Sequence, residues 1–475
     1  MIMNLKAFLI PITLFFFVVG ASAQTVWTLE QCIQRALENN LTIKQGEIDQ
    51  QVAEQNVLQS KLGALPSVNA SGSQNYNFGR SVDAFTNDFT TQTNSNTNVG
   101  LNANLILFNG LQRASSIKQS NFYLQASQSN LQNLKDNITL SVVNGYLSVL
   151  FANELVIINT NQVDISRQQT ERMKILVDAG SATEGMLLET QAQLALEELN
   201  LTNAENQQVS AILSMKQLLE LEPNADFTVE KIDGIEPGET LKEYNEEEVF
   251  QQALQINPQI KSAEYNQQAV ERDIAIARAS NVPRLSVNGG INTGYSSQLQ
   301  RITSVTPSGN TVIGTTETTG ENVVQPNFNV AAETTPFADQ FDQNLSQYIG
   351  LTLSIPIFNG WQGKSATKRA KLSNQRAELS TDIAKNNLQK TIYQLVADHK
   401  AAQKRFTSTT NSVTSLRKSF NYNDQRYKLG MINSVDYNLS KNNLIRAESD
   451  LLQAKYDLIF KAQILEYYQG KSIDF

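Results

Sequence analysis

Two long segments of the chain carry apolar residues at helical spacing and contain no proline. The first runs from Leu111 to Val177 and the second from Gly363 to Leu429, in a chain that has only ten prolines. In the first segment the apolar residues recur at steps of seven, at Ile117, Leu124, Leu131 and Ile138. Sustained heptads predict supercoiled helices. At 1.5 Å per residue each helix would be on the order of 100 Å long.

A shorter helix is predicted after each long one. The long segments end at Asp178-Ala179-Gly180 and Lys428-Leu429-Gly430, where glycine suits a left-handed C-cap. Heptad leucines then resume, at Leu187, Leu194 and Leu201 in one case and at Leu444, Leu451, Leu458 and Leu465 in the other. Because the turns between them are short, each long helix is expected to pack antiparallel to the helix that follows it.

Two other segments change to a period of two, which predicts strands. The apolar positions are Val99, Leu101, Ala103, Leu105 and Leu107, and later Ile349, Leu351, Leu353, Ile355 and Ile357. Polar residues such as Asn102, Asn104 and Thr352 alternate with them. We expect two strand hairpins, at about residues 66–108 and 284–357. Strands with one apolar and one polar face suit a membrane barrel with a wet interior, or a half-buried sheet of a soluble protein.

The chain reads as two copies of one unit. Ala36-Leu37 recurs as Ala253-Leu254, 217 residues later, whereas Phe108-Asn109-Gly110 recurs as Phe358-Asn359-Gly360, 250 residues later. The extra residues of the second copy therefore lie in the hairpin region, and an insertion confined to one place predicts a surface loop. The predicted division is a first repeat over 24–222, a linker over 223–243, a second repeat over 244–469 and a tail over 470–475, with external loops over 79–97 and 292–344.

The first 23 residues have the form of a secretory signal peptide. A single charge, Lys6, precedes the apolar run Ala7 to Val19 and the small-residue sequence Ala21-Ser22-Ala23. A membrane anchor is the alternative, but the run is short for a span of roughly 20 residues. No second apolar run of that length stands out in the sequence. An exported chain with four predicted strands has too few to close a barrel by itself, since about eight is the smallest usual number, so several chains must pool their strands.

Composition and charge exclude several function classes. The formal net charge of −8 disfavours nucleic acid as a partner. Cys32 is the only cysteine and His399 the only histidine. We expect Cys32 to be a small buried apolar residue and His399 to be a surface or packing residue. No nucleophile constellation, phosphate loop or metal-ligand spacing is present. The sequence therefore predicts a protein that is not an enzyme and needs no cofactor or bound metal.

Taken together, the leader, the tandem copies, the hairpins ending in Phe-Asn-Gly and the glycine turns at Gly180 and Gly430 resemble the TolC family of outer-membrane efflux ducts. The likeness covers essentially the whole chain after residue 23. It implies an α+β fold, mainly α: a homotrimer in which four strands per chain make a twelve-stranded outer-membrane β-barrel, continued by a periplasmic α-helical coiled-coil barrel. It also implies partners, namely a periplasmic adaptor and an inner-membrane transporter of the RND or ABC type.

The resemblance further implies site residues at the tip of the helical part. Asp436 falls where members of the family place a constricting Asp, whereas Leu439 stands where a second Asp is expected. Glu189 of the first copy is a candidate second member of a mixed acidic ring. The alternative is that Asp436 supports the start of the last helix. The turns are candidate adaptor contacts, or simple helix turns; their residues are Asp178, Ala179, Gly180, Leu429, Gly430 and Ser434.

The function predicted from the resemblance is an exit duct in the cell outer membrane. Its expected cargo is small molecules, including drugs, toxic compounds and metal ions. One alternative keeps the duct and changes the cargo to whole proteins, as in type I secretion. Another is a secreted structural coiled-coil or filament protein, which would have helices without membrane strands.

Overall fold

The computed structural model describes residues 26–82, 87, 89–90, 94–231 and 242–471. The predicted signal peptide, parts of the loop 79–97 and the linker 223–243, and residues 472–475 of the tail lie outside this range. The chain divides into two compact units. We call Met1–Gln50, Ser127–Ser262 and Thr381–Phe475 the helical unit, and Gln51–Ala126 and Ala263–Ser380 the strand unit. Each unit draws on both halves of the sequence.

The helices occur in two matching sets. The first set is α1 (Leu29–Asn39), α2 (Leu41–Leu62), α3 (Gln112–Asp178) and α4 (Glu184–Leu218). The second is α5 (Glu246–Ile256), α6 (Pro258–Ala279), α8 (Gln362–Lys428) and α9 (Ser434–Tyr468), with the short α7 (Phe337–Gln343) before α8. Corresponding helices have equal lengths of 11, 22, 67 and 35 residues. The two long helices and the returning helices predicted from the heptads are thus confirmed.

Side-chain caps fix where the short helices begin and break. Thr28 forms a reciprocal capping box with Gln31 at the start of α1, and the Asn245 side chain accepts two backbone N–H bonds at the start of α5. Asn40 and Asn257 separate the paired short helices, with ψ of 127° and 121°. The Oδ1 atom of each accepts a backbone N–H bond of 2.9 Å from the second residue of the next helix. Each asparagine therefore ends one helix and starts the next.

The strand unit contains a four-stranded antiparallel sheet of order β10-β7-β5-β2. All strands of the chain's described part are β1 (Val26–Trp27), β2 (Ser67–Asn77), β3 (Ser81–Val82), β4 (Phe89–Thr90), β5 (Asn94–Phe108), β6 (Thr228–Val229), β7 (Arg284–Ser296), β8 (Gln300–Thr315), β9 (Asn322–Thr334) and β10 (Ser346–Ser354). The sheet joins the two predicted hairpins through β5 and β7, for example with Leu101 opposite Ile291.

The prediction that residues 292–344 form a loop is wrong. This segment completes β7 and then forms the antiparallel ribbon β8–β9 and the helix α7. The ribbon was not predicted because three irregularities, the first between Ile302 and Ser304, interrupt the period-two pattern that indicates a strand. The expected extension of the last strand to Ile357 is also wrong, since β10 ends at Ser354, before Pro356 removes a backbone donor.

The core of the helical unit is two clusters in which a short helix packs on a long one. The larger includes Cys32 of α1, Tyr146 of α3 and Met215 of α4, and the smaller includes Ala253 of α5 and Ile392 of α8. Cys32 and His399 are both buried, as expected of packing residues. His399 packs edge-on against Tyr244, with ring centroids 5.0 Å apart.

Helix α3 is long and apolar enough to cross a membrane by length and composition, with a mean hydropathy of 1.6 over one 18-residue window. The sequence reading missed this because Ser, Asn and Gly are interleaved in its apolar stretch. Val142, Val143 and Tyr146 of that stretch are fully buried in the helical unit. They are used there as protein core.

Candidate functional site

The sheet of the strand unit has one apolar and one polar face. On the apolar face Ile349, Leu351 and Leu353 of β10 are 84%, 70% and 60% exposed. Val99 and Leu101 of β5 are also exposed on the same face. Such a contiguous apolar surface is typical of a contact with lipid or another protein.

The polar face carries a ladder of side-chain hydrogen bonds that crosses the strands. Asn104 donates to Asn288 Oδ1 and Asn288 donates to Thr352 Oγ1, both at 2.9 Å. Amides and hydroxyls paired in this way can also form hydrogen bonds with water, so this face of the sheet can be in contact with water.

A glycine lets one aromatic side chain lie flat across the polar face. Tyr348 of β10 is opposite Gly290 of β7, which is opposite Asn102 of β5. The Tyr348 hydroxyl donates to Asn102 Oδ1 at 3.1 Å, passing over Gly290. A Cβ atom at position 290 would lie 2.7 Å from both side chains. Only glycine leaves room for this contact.

The glycine turns of the helical unit have the predicted left-handed caps. Gly180 has φ of 72° and Gly430 has φ of 71°. After α3, Gly180 N–H bonds to Val177 O at 2.9 Å and the next N–H bonds to Leu176 O at 2.8 Å. This pair of bonds is the Schellman arrangement, and the turn after α8 repeats it. Asp178, Ala179 and Leu429 are also exposed.

A cleft of about 910 Å³ lies beside the two turns. Its walls include Arg172, Met186 and Asp424, together with stacked aromatic rings. The rings of Tyr427 and Tyr437 are 4.4 Å apart, and burial raises the pKa of the Tyr437 hydroxyl to about 12. Tyr437 also accepts a 2.8 Å hydrogen bond from Gln169, so it joins α9 to α3.

The structure brings together Glu189 and Ser434 among the predicted site residues. The buried Ser434 donates to Glu189 Oε2 at 3.1 Å and so joins α4 to α9. Asp436 lies two residues further, in the first turn of α9, where its N–H donates to Asn433 Oδ1 at 2.8 Å. Asn433 is thus the N-cap of α9. Asp436 and Leu439 are both exposed, whereas Tyr437 between them is buried.

Lys441 is a functional candidate that sequence reasoning missed. It is 2% exposed, and its Nζ donates to Ser166 Oγ on α3 at 2.8 Å. Glu197 of α4, also buried, accepts from Gln193 Nε2 at 2.6 Å. Burial lowers the Lys441 pKa to about 8, and the Glu197 charge opposes that shift. The sequence did contain one signal for its burial: Lys441 is three residues before the heptad residue Leu444, and residues three apart lie on the same face of a helix.

No group of three or more His, Cys, Asp or Glu side chains able to hold a metal ion occurs within the described residues.

A family model described as outer membrane efflux protein matches the chain twice, over residues 32–220 and 249–470. The outer membrane efflux protein BepC of Brucella suis is 19% identical over 448 residues, 94% of this chain and 85% of BepC. The outer membrane protein TolC of Vibrio cholerae is 23% identical over 205 residues, 42% of this chain and 45% of TolC.

Solved structures have the same fold. Comparison of the backbone with that of CusC gives a TM-score of 0.73 at 15% identity, covering 94% of this chain and 92% of that one. The open MtrE channel of Neisseria gonorrhoeae gives 0.69 at 17% identity, covering 94% and 89%. This fold contradicts the interpretation as a structural filament, and it is a fold of channels rather than enzymes. The chain belongs to the outer membrane efflux protein family, and it is an exit duct for efflux in the outer membrane.

Proposed function

We propose that three copies of this chain close one twelve-stranded barrel, which continues as a tube of twelve helices across the periplasm. The observation that carries this proposal is the sheet. It ends in β10 on one side and β2 on the other, with no further strand paired to either among the described residues. Its apolar face is exposed.

Lipid makes such open edges costly. An unpaired backbone amide in hydrocarbon costs several kcal/mol, so only closed barrels of strands span a bilayer. Pairing β10 of one chain with β2 of the next satisfies both edges. Three copies of four strands give the even strand number usual for such barrels.

The proposed cargo is small molecules, namely drugs, toxic compounds and metal ions. A periplasmic adaptor and an inner-membrane transporter of the RND or ABC type would deliver them. Membership of the efflux family supports this cargo. We also propose processing after Ala23 and the division into repeats at the linker 223–243; the gap between the two family matches, residues 221–248, supports that division.

Two site assignments belong to this proposal. Asp436 and Glu189 would narrow the pore as a mixed acidic ring, because symmetry-related carboxylates repel one another, repel anions and attract cations. Their exposure on the single chain supports this. The second assignment is that the turns at Gly180 and Gly430 contact the adaptor. Leu429 supports it, since this apolar side chain is 74% exposed in the turn.

The test has two parts, assembly and transport. We expect the purified protein to run as a trimer in detergent and to conduct ions in a planar bilayer. We also expect its deletion to sensitise cells to small toxic compounds, and the wild-type gene to restore resistance. A monomer that is soluble without detergent would contradict the duct. Lost secretion of a protein with unchanged resistance would assign the duct to type I secretion instead.

A further inference from the structure

Most cross-strand pairs of the ribbon β8–β9 separate into an apolar face and a polar face. Four cross-strand pairs make the apolar face: Ile302 with Ala332, Val305 with Val330, Pro307 with Phe328, and Val312 with Val324. The opposite face carries the ion pair of Arg301 with Glu333 and the hydrogen bond from Asn327 to Thr311. We call the first set the ribbon apolar face.

The irregularities in the ribbon preserve this segregation. Val305 and Val312 are seven residues apart, so strict alternation would place them on opposite faces. One extra residue between Pro307 and Asn310 shifts the register, and both valines pair on the same side. A slip of one residue would otherwise exchange the faces. The register shift therefore places these apolar side chains on the same face.

No described residue of the strand unit covers this face. Ile302 is 65% exposed, Phe328 53% and Val330 54%. An isolated two-stranded ribbon is marginally stable in water, and contiguous exposed apolar patches mark interaction sites. The ribbon apolar face therefore requires an occupant.

The base of the ribbon is fixed to the sheet. Gln340 of α7 is fully buried; it donates to Ser296 O at 3.0 Å and to Thr335 O at 2.8 Å, and it accepts from Ser296 N at 2.9 Å. Arg301 lies 3.6 Å from Asp339 of α7. These bonds link the end of β7, the start of β8 and the end of β9. These contacts with α7 fix the position of the base of the ribbon relative to the sheet.

The charge of the ribbon disfavours a lipid surface as the occupant. Residues 300–334 contain one basic residue, Arg301, and three acidic ones, Glu317, Glu321 and Glu333. Arg301 is already paired with Glu333 at 2.8 Å. Elements that lie on anionic membranes carry Lys and Arg on their polar face. The ribbon has the opposite balance.

Other copies of the chain are within reach, if the proposed trimer is accepted. The ribbon is inserted between β7 and the edge strand β10, so it leaves the sheet at the side where the next chain joins. Twelve strands about 4.8 Å apart and tilted by about 40° enclose a backbone cylinder roughly 25 Å across, while a 13-residue strand spans about 40 Å. Three ribbons can therefore meet over the mouth, at the high effective concentration that a shared barrel provides.

We propose that the three ribbon apolar faces of a trimer pack against one another, forming a capped extension of the duct outside the membrane. The occupant of each face is the same face of the other two copies. This inference rests on the proposed trimer.

Cysteine crosslinking tests it on intact cells with the full-length chain. The native Cys32 is buried and its pKa is raised to about 12, so it is an unreactive background. Val330→Cys places a thiol on the ribbon apolar face, and Asn329→Cys places one on the opposite face at the next position. Val330→Cys is expected to shift from monomer to crosslinked dimer with a short bis-maleimide on denaturing gels. Asn329→Cys is expected to remain monomeric.

A native gel of the same samples separates the two proposals. Trimers without any Val330→Cys crosslink, and with equal labelling of both thiols by an impermeant maleimide, would refute the ribbon contact and leave the barrel intact. Crosslinks to another protein, or quenching of a fluorophore at position 330 by spin-labelled lipid, would refute it in favour of that occupant. Absence of trimers would refute the proposed function itself.

Discussion

Lys441 is the residue whose surroundings differ most from those its charge prefers. An ammonium group buried beside Ser166 loses most of its hydration, and Ser166 supplies one hydrogen bond in return. Burial of this charge against α3 lowers the stability of the folded chain. We expect the cost to be visible in the pH dependence of stability.

The first prediction concerns that pH dependence. The folded-state pKa of Lys441, about 8, is below its unfolded value. At a pH between these two pKa values, the folded chain therefore binds fewer protons than the unfolded chain. The free energy of unfolding should therefore rise by roughly 2 kcal/mol between about pH 8 and pH 10 on account of this group. Lys441→Met should remove that rise, whereas Lys400→Met, at an exposed position, should keep it. Thermal unfolding followed by circular dichroism measures the difference, and parallel curves for both variants would contradict the prediction.

The second prediction concerns the proposed acidic ring. Asp436→Ala combined with Glu189→Ala should raise single-channel conductance and weaken block by divalent cations, since fewer carboxylates remain to attract them. Glu205→Ala, an exposed carboxylate further along α4, is the control and should leave block unchanged. Unchanged block in the double variant would favour the other role of Asp436, support of the first turn of α9.

At the residue scale, the structure shows contacts that the sequence did not reveal. Asp436 and Glu189 were selected through the family resemblance, and their role in the pore stays a prediction. The Ser434 bond to Glu189 could not be predicted, because it joins residues 245 positions apart. Lys441 was missed for the same reason: its burial depends on a helix from the other half of the chain.

Helical elements are defined mainly by their ends. The turns after α3 and α8 differ in sequence, yet both close with a left-handed glycine and two backbone bonds to the preceding turn. The lengths of the helices and their returns follow from those two stops and from the asparagines between the short helices. Such local signals were readable in the sequence.

The third prediction tests the glycine caps. A Cβ at Gly180 meets nothing within 4 Å, but φ of 72° disfavours any other residue. Gly180→Ala should therefore lower the free energy of unfolding by about 1 kcal/mol. Gly185→Ala is the matched control, because Gly185 lies inside α4 with open space around it, and there alanine should stabilise the helix. Equal Tm shifts for the two variants would contradict this.

The fourth prediction separates docking from folding in the same turns. Leu429→Asp changes an exposed apolar side chain but keeps Gly430 and the backbone bonds of the turn, so trimer stability should be retained while resistance to toxic compounds is lost. Leu372→Asp, exposed on α8 far from the turn in sequence, should preserve resistance. Loss of the trimer band in Leu429→Asp would indicate a folding role instead.

The elements that the sequence did not reveal share one cause. The parallel pair β1–β6 joins Val26 to Thr228, and two residues per strand give no period to detect. The ribbon β8–β9 has a period, but register shifts break it. Local patterns predict elements whose regularity is uninterrupted, and these two depend on partners or bulges.

At the scale of the whole molecule, the sheet has an exposed apolar face, and no described strand pairs with the outer side of β2 or β10. In the proposed trimer, neighbouring chains would pair with these edges. The alternation of apolar and polar residues made the two hairpins predictable. Their joining through β5 and β7 was not predicted, because it pairs residues as far apart in the sequence as Leu101 and Ile291. The fifth prediction uses that alternation.

Leu351→Lys should reduce the yield of folded trimer, because a lysine facing lipid near the bilayer centre costs about 2–4 kcal/mol. Thr352→Lys, one residue later and on the polar face, should assemble and alter conductance instead. Heat-modified migration on gels measures assembly. Equal yields for the two variants would show that the apolar face does not contact lipid.

The joints between strand and helix have a consequence for variation among relatives. Gly110 and Leu111, and again Gly360 and Trp361, are consecutive residues with positive φ. Leu111 and Trp361 thus have a backbone conformation that residues with a side chain disfavour. At the second joint, the Lys364 ammonium group lies 4.0 Å from the centre of the Trp361 ring. Natural substitutions at positions 111 and 361 should therefore alternate between glycine or asparagine, which relax the bend, and bulky residues that anchor it. Branched residues such as valine should be rare there.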